Sequence, residues 1–264
     1  MNKRESNRLN SQFRAVFEPN DYFYFYEKVL TDQITNQQIK FLVKKLKLNS
    51  PKEILDIPCG FGRHANCLAK LGHKVIGVDI TPGFLEIAKK NAKRKKLSVN
   101  YIHADMRNIT LKNQFDRIIM LFTSFGYFTD EENLKILKNI ADALKIGGLL
   151  CFDIFNRDAF LKTFLPYIVN EKGKDMMIDL NSFDSTTGRL NCRRIIIRNG
   201  KRKDKPFSLR LYNPTEIRDL LNKVGLVIHR IYQDWEGNPF TSNSRRMIVI
   251  AKKTKGMKLW CNAT

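Results

Sequence analysis

Long apolar runs are missing from this chain. None approaches the roughly 20 residues that cross a bilayer, and the opening Met-Asn-Lys-Arg-Glu-Ser-Asn-Arg lacks the apolar stretch of a secretory leader. No membrane partner is therefore expected. Cysteine is sparse: Cys59, Cys67, Cys151, Cys192 and Cys261 are scattered, odd in number and without a Cys-x-x-Cys pair. That usage fits reduced thiols and a cytoplasmic protein. His64, His73, His103 and His229 show no metal-ligand spacing, so no metal site is expected. Acidic residues are few beside basic ones, 26 against 47, giving a net charge of +21. Such a balance invites a nucleic-acid partner. The densest run, Lys89–Lys96, nevertheless sits at the end of an expected helix, where cations suit the dipole, and no basic stretch forms an aromatic-interleaved module of the kind that stacks the bases of single strands. Nucleic acid stands behind a small molecule as the expected partner, because charge alone is a non-specific signal.

At 264 residues and 43% hydrophobic content the chain can bury one sizeable α/β core plus an embellishment. Its most informative stretch is Glu53–Ala65. An apolar run ends in Asp56, a tight turn carries Gly60 and Gly62, and an amphipathic segment, His64–Leu71, follows. Strand, glycine turn and helix in this order aim backbone N–H groups at a nucleotide-like ligand. A side chain at either glycine would hold that ligand away from the main chain. Gly60-Phe-Gly62-Arg-His-Ala65 also satisfies the spacing of a dinucleotide fingerprint, with Asp79 placed as a ribose-binding acid. On this turn alone a nicotinamide dehydrogenase remains open.

Asp56-Ile-Pro-Cys-Gly-Phe-Gly62 resembles motif I of the class I S-adenosylmethionine (SAM)-dependent methyltransferases, with Pro58 in the first glycine position. Four further features follow in that family's order. Lys74–Asp79 looks like the second strand, ending in the acid that grips both ribose hydroxyls. Ala104-Asp105-Met106 looks like the loop whose acid and next N–H bind the adenine. Phe115–Phe122 looks like the fourth strand, and Leu144–Leu150 with its Gly147-Gly148 turn looks like the entry to the fifth. A dehydrogenase explains the first two features and not the last three. The resemblance covers residues 50–155 well and the C-terminal third loosely. It implies a doubly wound, mostly parallel seven-stranded α/β sheet with helices on both faces. It also implies SAM as cofactor, held by Asp56, Pro58, Gly60, Gly62, Arg63, Asp79, Ile80, Asp105, Met106 and Leu121.

The pattern of elements gives the organisation. Residues 1–48 read as a polar, basic arm (1–20) followed by one or two helices, the first capped by Asp21, lying over the site. Residues 49–154 and 213–253 alternate strands and helices as the SAM-binding unit. Residues 155–212 break the alternation: Met176–Leu180, Leu190–Ile197 and Pro206–Tyr212 read as antiparallel strands inserted after the fifth strand, beside the strand ends where substrate binds. Pro214–Val224 reads as a helix capped by Asn213 and stopped by Gly225. Residues 254–264 form a basic tail.

The acceptor side is less sharply marked. The loop after the fourth strand, Leu121–Phe128, lacks the Asn/Asp-Pro-Pro-aromatic signature of enzymes that methylate nucleic-acid amines. It resembles instead that of glycine and amino-sugar N-methyltransferases, and Phe152–Asp158 extends the likeness. Pro58-Cys59 is not the nucleophilic pair of cytosine C5 methyltransferases, which follows the fourth strand. Thr123, Ser124, Phe125, Asn156, Arg157 and Arg210 are expected to face the acceptor. Tyr22 and Tyr26 offer aromatic walls that attract a sulfonium. Tyr127, Asp153 and Tyr212 are the candidate proton acceptors. The lack of histidine in these loops tilts the acceptor towards an amine, which needs no positioned base. An RNA methyltransferase using the basic surface and a non-catalytic SAM-binding regulator remain alternatives, and the oligomeric state is open.

Overall fold

The computed structural model describes residues 16–255. Seven strands form one sheet: β1 (Glu53–Asp56), β2 (Lys74–Asp79), β3 (Val99–His103), β4 (Phe115–Met120), β5 (Leu144–Phe155), β10 (Leu226–Tyr232) and β11 (Arg246–Lys253). Their order is β10-β11-β5-β4-β1-β2-β3. All neighbours are parallel except β11, which runs antiparallel to both β5 and β10. Period-2 side-chain alternation, read along each strand, sorts the core into two layers. Leu55, Ile118, Leu150, Phe152 and Val249 face one side, where α5 (Asp130–Ala143) and α7 (Pro214–Lys223) add Ile136, Leu137, Ile140, Ile217 and Leu221. Ile54, Ile119, Cys151, Ile248 and Ile250 face the other, under α2 (Asp32–Lys45), α3 (Arg63–Lys70) and α4 (Pro82–Arg94). Both layers are sealed by runs apolar on both faces, as a buried parallel sheet requires.

Local chemistry explains where the helices begin. Thr129 with Glu132 and Asn213 with Glu216 form reciprocal capping boxes for α5 and α7, so Asn213 caps as its sequence position predicts. The first helix corrects an expectation. α1 spans Pro19–Tyr26, its cap is Glu18, whose carboxylate accepts from the N–H groups of Asn20 and Asp21, and Asp21 lies inside it. Asp21 is buried against Lys205 (2.8 Å), Lys203 (2.9 Å) and Arg198 (3.2 Å), a partnership no local pattern announces. Of the expected arm, residues 1–15 lie outside the described residues, as does most of the basic tail.

After β5 and the short α6 (Arg157–Lys162) comes a separate antiparallel sheet, β6 (Tyr167–Lys172), β7 (Asp175–Asp184), β8 (Arg189–Arg198) and β9 (Lys201–Arg210), in sequential order. It has four strands where three were expected. β6 is an exposed edge with polar and apolar residues on both sides, and the first half of β9 is Lys-Arg-Lys-Asp-Lys. Neither shows the half-buried alternation by which strands are recognised. The β8–β9 hairpin turns at Asn199-Gly200, both at positive φ, the geometry for which Asn-Gly is favoured.

Candidate active site

The loops at the C-terminal ends of β1, β2, β3 and β4 converge on a hollow of about 880 Å³. Of the residues the sequence marks for the donor, Pro58, Gly60, Arg63, Asp79, Ile80, Asp105, Met106 and Leu121 line it. Tyr22, Ser124 and Tyr127 line it too. Asp79 closes the glycine turn: one oxygen accepts from the Gly60 N–H (2.8 Å) and the other from the Thr81 N–H (2.8 Å). Burial raises its carboxyl pKa, and these backbone donors oppose the shift. Gly60 is left-handed (φ +54°), and a Cβ there would meet no protein atom within 4 Å. Gly62 differs. It is buried outside the lining, and a Cβ on it would fall 2.3 Å from the Tyr101 hydroxyl and 2.9 Å from the Ala88 Cβ. Its smallness therefore serves the packing of α3 against α4 and β3 rather than contact with a ligand.

Two polar atoms here lack partners. Asp56 lies just behind the cradle, fully buried, with Oδ2 unpaired, and burial pushes its carboxyl up to about 8 against the pull of Arg63. Arg63 donates from Nη1 to Thr35 Oγ1 (3.1 Å) and Gln38 Oε1 (2.8 Å), while its buried Nη2 has no acceptor. Gln38 Oε1 also meets His64 Nε2 (2.8 Å), and burial holds that imidazole neutral. A carboxylate and a guanidinium, each with one unanswered atom, suit a zwitterion such as the amino-acid end of SAM. At the far end Asp105 is held by Arg107 (2.6 Å), which also reaches Glu132 and lies over the Phe128 ring at 4.3 Å.

A second, larger hollow of about 1750 Å³ opens between α1, the ends of β4, β5 and β11, and the inner face of the four-stranded sheet. Tyr26, Thr123 and Phe207 line it, and Phe17, Tyr22, Phe122 and Tyr127 line both hollows. Tyr22 packs on Phe84 (centroids 5.1 Å), Tyr26 (4.9 Å) and Phe122 (6.4 Å), so α1 roofs the junction. Phe122 and Thr123 both sit at positive φ, 69° and 56°, a strain that surrounding structure must hold in place. Asp153 does so by accepting the Phe122 N–H (2.6 Å), and Arg246 donates to both Asp153 and Thr123 Oγ1.

Several expected acceptor residues are structural. Asp153 is 1% exposed and committed to Phe122 and Arg246, outside the lining of either hollow. Tyr212 is buried, stacked on Phe125 at 5.5 Å with its hydroxyl accepting from Asn133, so neither it nor Phe125 faces a hollow. Asn156 is buried and donates to the Ser244 carbonyl. Arg157 and Arg210 both bind Glu216, at 2.8 and 2.7 Å. Ser124 lines the first hollow and not the second, and its hydroxyl donates to the Leu121 carbonyl. Apolar or charged residues at strand ends look alike in sequence whether they face a ligand or a neighbouring element. The chamber instead uses residues the sequence did not single out: Phe122, Phe207, Arg246 and the bidentate Arg194–Asp179 pair (2.7 and 2.6 Å).

A parallel sheet closed by an antiparallel β11, with an acid-x-Pro-x-Gly turn after β1 and an acid ending β2, defines the class I methyltransferase architecture. Residues 54–148 match a family described as a methyltransferase domain. The chain is 24% identical over 237 residues to the putative methyltransferase YqeM of Bacillus subtilis (strain 168), covering 87% of this chain and 95% of that protein. In fold it is similar to an S-adenosylmethionine-dependent methyltransferase from Clostridium acetobutylicum ATCC 824, at 19% identity, with a TM-score of 0.78 over 89% of this chain and 99% of that one. It is also similar to the sugar N-methyltransferase KedS8 from Streptoalloteichus sp ATCC 53650, at 20% identity, with a TM-score of 0.65 over 90% of this chain and 94% of that one. The chain thus carries a methyltransferase domain over residues 54–148 on a class I, Rossmann-like fold, and its relatives support SAM-dependent methyl transfer with SAM as cofactor. No helix among the described residues is long and apolar enough to cross a membrane.

Proposed function

We propose that this enzyme moves the methyl group of SAM to the nitrogen of a small-molecule acceptor held in the chamber beneath the four-stranded sheet. One observation carries the reading: the donor hollow and the chamber meet at a shared wall of Phe17, Tyr22, Phe122 and Tyr127, roofed by α1. In this reading Asp79 receives the ribose hydroxyls, Asp105 and the Met106 N–H meet the adenine, and Asp56 with Arg63 takes the amino-acid end. SAM brings a methyl group on a sulfonium, which aromatic faces attract and shield from water. The protein's remaining work is alignment and exclusion of water.

The choice of nitrogen rests on proton chemistry. A hydroxyl must be deprotonated as it reacts, whereas an amine that arrives neutral can release its proton afterwards. Among the described residues of the chamber there is no histidine. Burial raises the phenol pKa values of Tyr22, Tyr26 and Tyr127, so they stay protonated and offer no phenolate to take up a proton. Asp179 is tied to Arg194, Glu27 to Lys172, and Glu171 stands on the exposed edge strand. The likeness to a protein described as a sugar N-methyltransferase supports the same choice.

Calorimetry with SAM, its demethylated product and NAD should show binding of the first two only. A screen with methyl-labelled SAM should then place label on small amines. Label in small alcohols or phenols would overturn the choice of nitrogen, and label in bulk tRNA would overturn the small-molecule reading.

A further inference from the structure

The two helical layers carry very different charge. On α2, α3, α4 and the turns that end them stand ten exposed cations: Lys40, Lys44 and Lys47, then Lys70, then Lys89, Lys90, Lys93, Arg94, Lys95 and Lys96. The same helices carry only two acids, Asp32 and Glu86. None of the ten cations takes part in an ion pair with a described residue. On α5 and α7, across the sheet, six acids (Asp130, Glu131, Glu132, Asp142, Glu216, Asp219) meet four cations (Lys135, Lys138, Arg218, Lys223). A uniformly lysine-rich chain would load both layers alike. Helix-dipole compensation does not account for the difference either: α5, as long as α2 at 14 residues, ends with no cation in its last turn.

Most of these cations gather where the three helices end, at the end of the sheet where the strands begin, opposite the donor hollow. Arg117, near the start of β4, donates to the Leu46 carbonyl at the end of α2 (2.6 Å), and Lys74 opens β2 directly after α3. The cradle and chamber lie at the other ends of the strands. We infer that this face of α2, α3 and α4 is a docking surface for a nucleic-acid phosphate backbone, separate from the methyl-transfer site. Ten unpaired cations on adjoining helices match a polymer of closely spaced phosphates, whose bound counterions they release. A bilayer surface fits less well, because amphipathic anchoring needs an apolar side to insert. Here the apolar sides of the three helices are spent on the core, through Ile39, Leu42, Leu68, Leu85 and Ala88, and Leu71 is the one large exposed apolar residue at their ends.

The full chain is titrated with a fluorescent 30-nucleotide oligouridine at several salt concentrations, and with vesicles of phosphatidylcholine containing phosphatidylserine. The parent protein should bind the oligonucleotide with a steep salt dependence. The triple variant Lys89→Glu/Lys93→Glu/Lys96→Glu should bind about tenfold more weakly near 0.1 M salt, its log–log slope shallower by about 2 units, since each lost phosphate contact removes about 0.7. The matched variant Lys138→Glu/Arg218→Glu/Lys223→Glu, on the other layer, should bind within about twofold of the parent, and both should keep the parent's SAM affinity. Equal losses in the two variants would reduce the effect to net charge and overturn the inference. So would binding to the vesicles without binding to the oligonucleotide, or competition between oligonucleotide and SAM.

Discussion

The hollow proposed for the donor and the chamber proposed for the acceptor lie side by side but are built in opposite ways. The donor hollow takes most of its lining from residues 57–128, from short loops that follow successive parallel strands. Each loop is fixed by the strand before it and the helix after it, so glycine, acid and spacing in the sequence translate directly into a cradle. The chamber draws on residues near 16–29, 122–127, 155–160, 168–181, 190–209 and 246. These meet only because β11 folds back beside β5 and the four-stranded sheet folds over α1. A ligand held by consecutive strand ends can be specified locally, whereas one held by distant elements depends on the whole fold.

If the two regions are as separable as their construction implies, single substitutions should strike one and spare the other. Asp79→Ala should have the largest effect. It removes the acceptor for the Gly60 and Thr81 N–H groups and the proposed partner of the ribose, charge-assisted bonds worth about 1.5–3 kcal/mol. SAM affinity by calorimetry should fall between about tenfold and a hundredfold while the melting curve stays within a few degrees of the parent. Unchanged affinity would break the assignment of the donor region.

The converse substitution is Phe207→Ala. Phe207 lines the chamber from β9 and packs 6.0 Å from Tyr127, with no place in the donor hollow. Loss of an aromatic wall worth about 1–2 kcal/mol should raise the KM of the identified amine roughly tenfold and leave SAM affinity within about twofold. Equal damage to both constants would show that the two regions are not separable.

The same contrast explains what the sequence revealed. Asp56, Pro58, Gly60, Arg63, Asp79, Asp105 and Met106 all lie in or directly behind the donor hollow because their neighbours in sequence are their neighbours in space. Asn156, Arg157, Arg210 and Tyr212 were expected at the acceptor from their strand-end positions. They are instead taken up by Ser244, Glu216 and Asn133, partners 88, 59, 6 and 79 residues away. Arg246 and Arg194 gave no signal, since among 47 basic residues an arginine on a strand is unremarked until the fold shows what it faces. Asp21 likewise reads as a helix cap and is in fact a buried tie between α1 and β8–β9.

Where the two regions meet, the effect should be smaller and shared. Arg246→Gln removes the guanidinium that links Asp153 to Thr123, leaving two positive-φ residues less firmly held. Strain of about 1 kcal/mol per residue is then free to relax. The expected result is a roughly threefold to tenfold drop in kcat with little change in either KM, because Phe122 shifts against both ligands. An effect on the acceptor KM alone would instead make Arg246 a direct contact of the acceptor rather than a brace of the Phe122–Thr123 turn.

The subtlest test concerns Asp56, whose buried carboxyl is pushed up to about 8 from an ordinary value of 3.8. Without donor the folded protein binds this proton more tightly than the unfolded chain does. Its contribution to stability is therefore fully present below about pH 4 and is lost as pH rises towards 8. Asp56→Asn cannot ionise, so its donor-free melting temperature should decline less than the parent's between pH 5 and 8. Donor binding reverses the preference: an ammonium beside Oδ2 favours the carboxylate, so the parent should release a proton at pH 7 when SAM binds. Calorimetry in buffers of different ionisation enthalpy measures that proton directly. Asp56→Asn should bind SAM with less proton release and a modest, roughly fivefold, loss of affinity. Equal release from parent and variant would remove Asp56 from the donor's amino-acid end and leave it as a buried brace of the glycine turn.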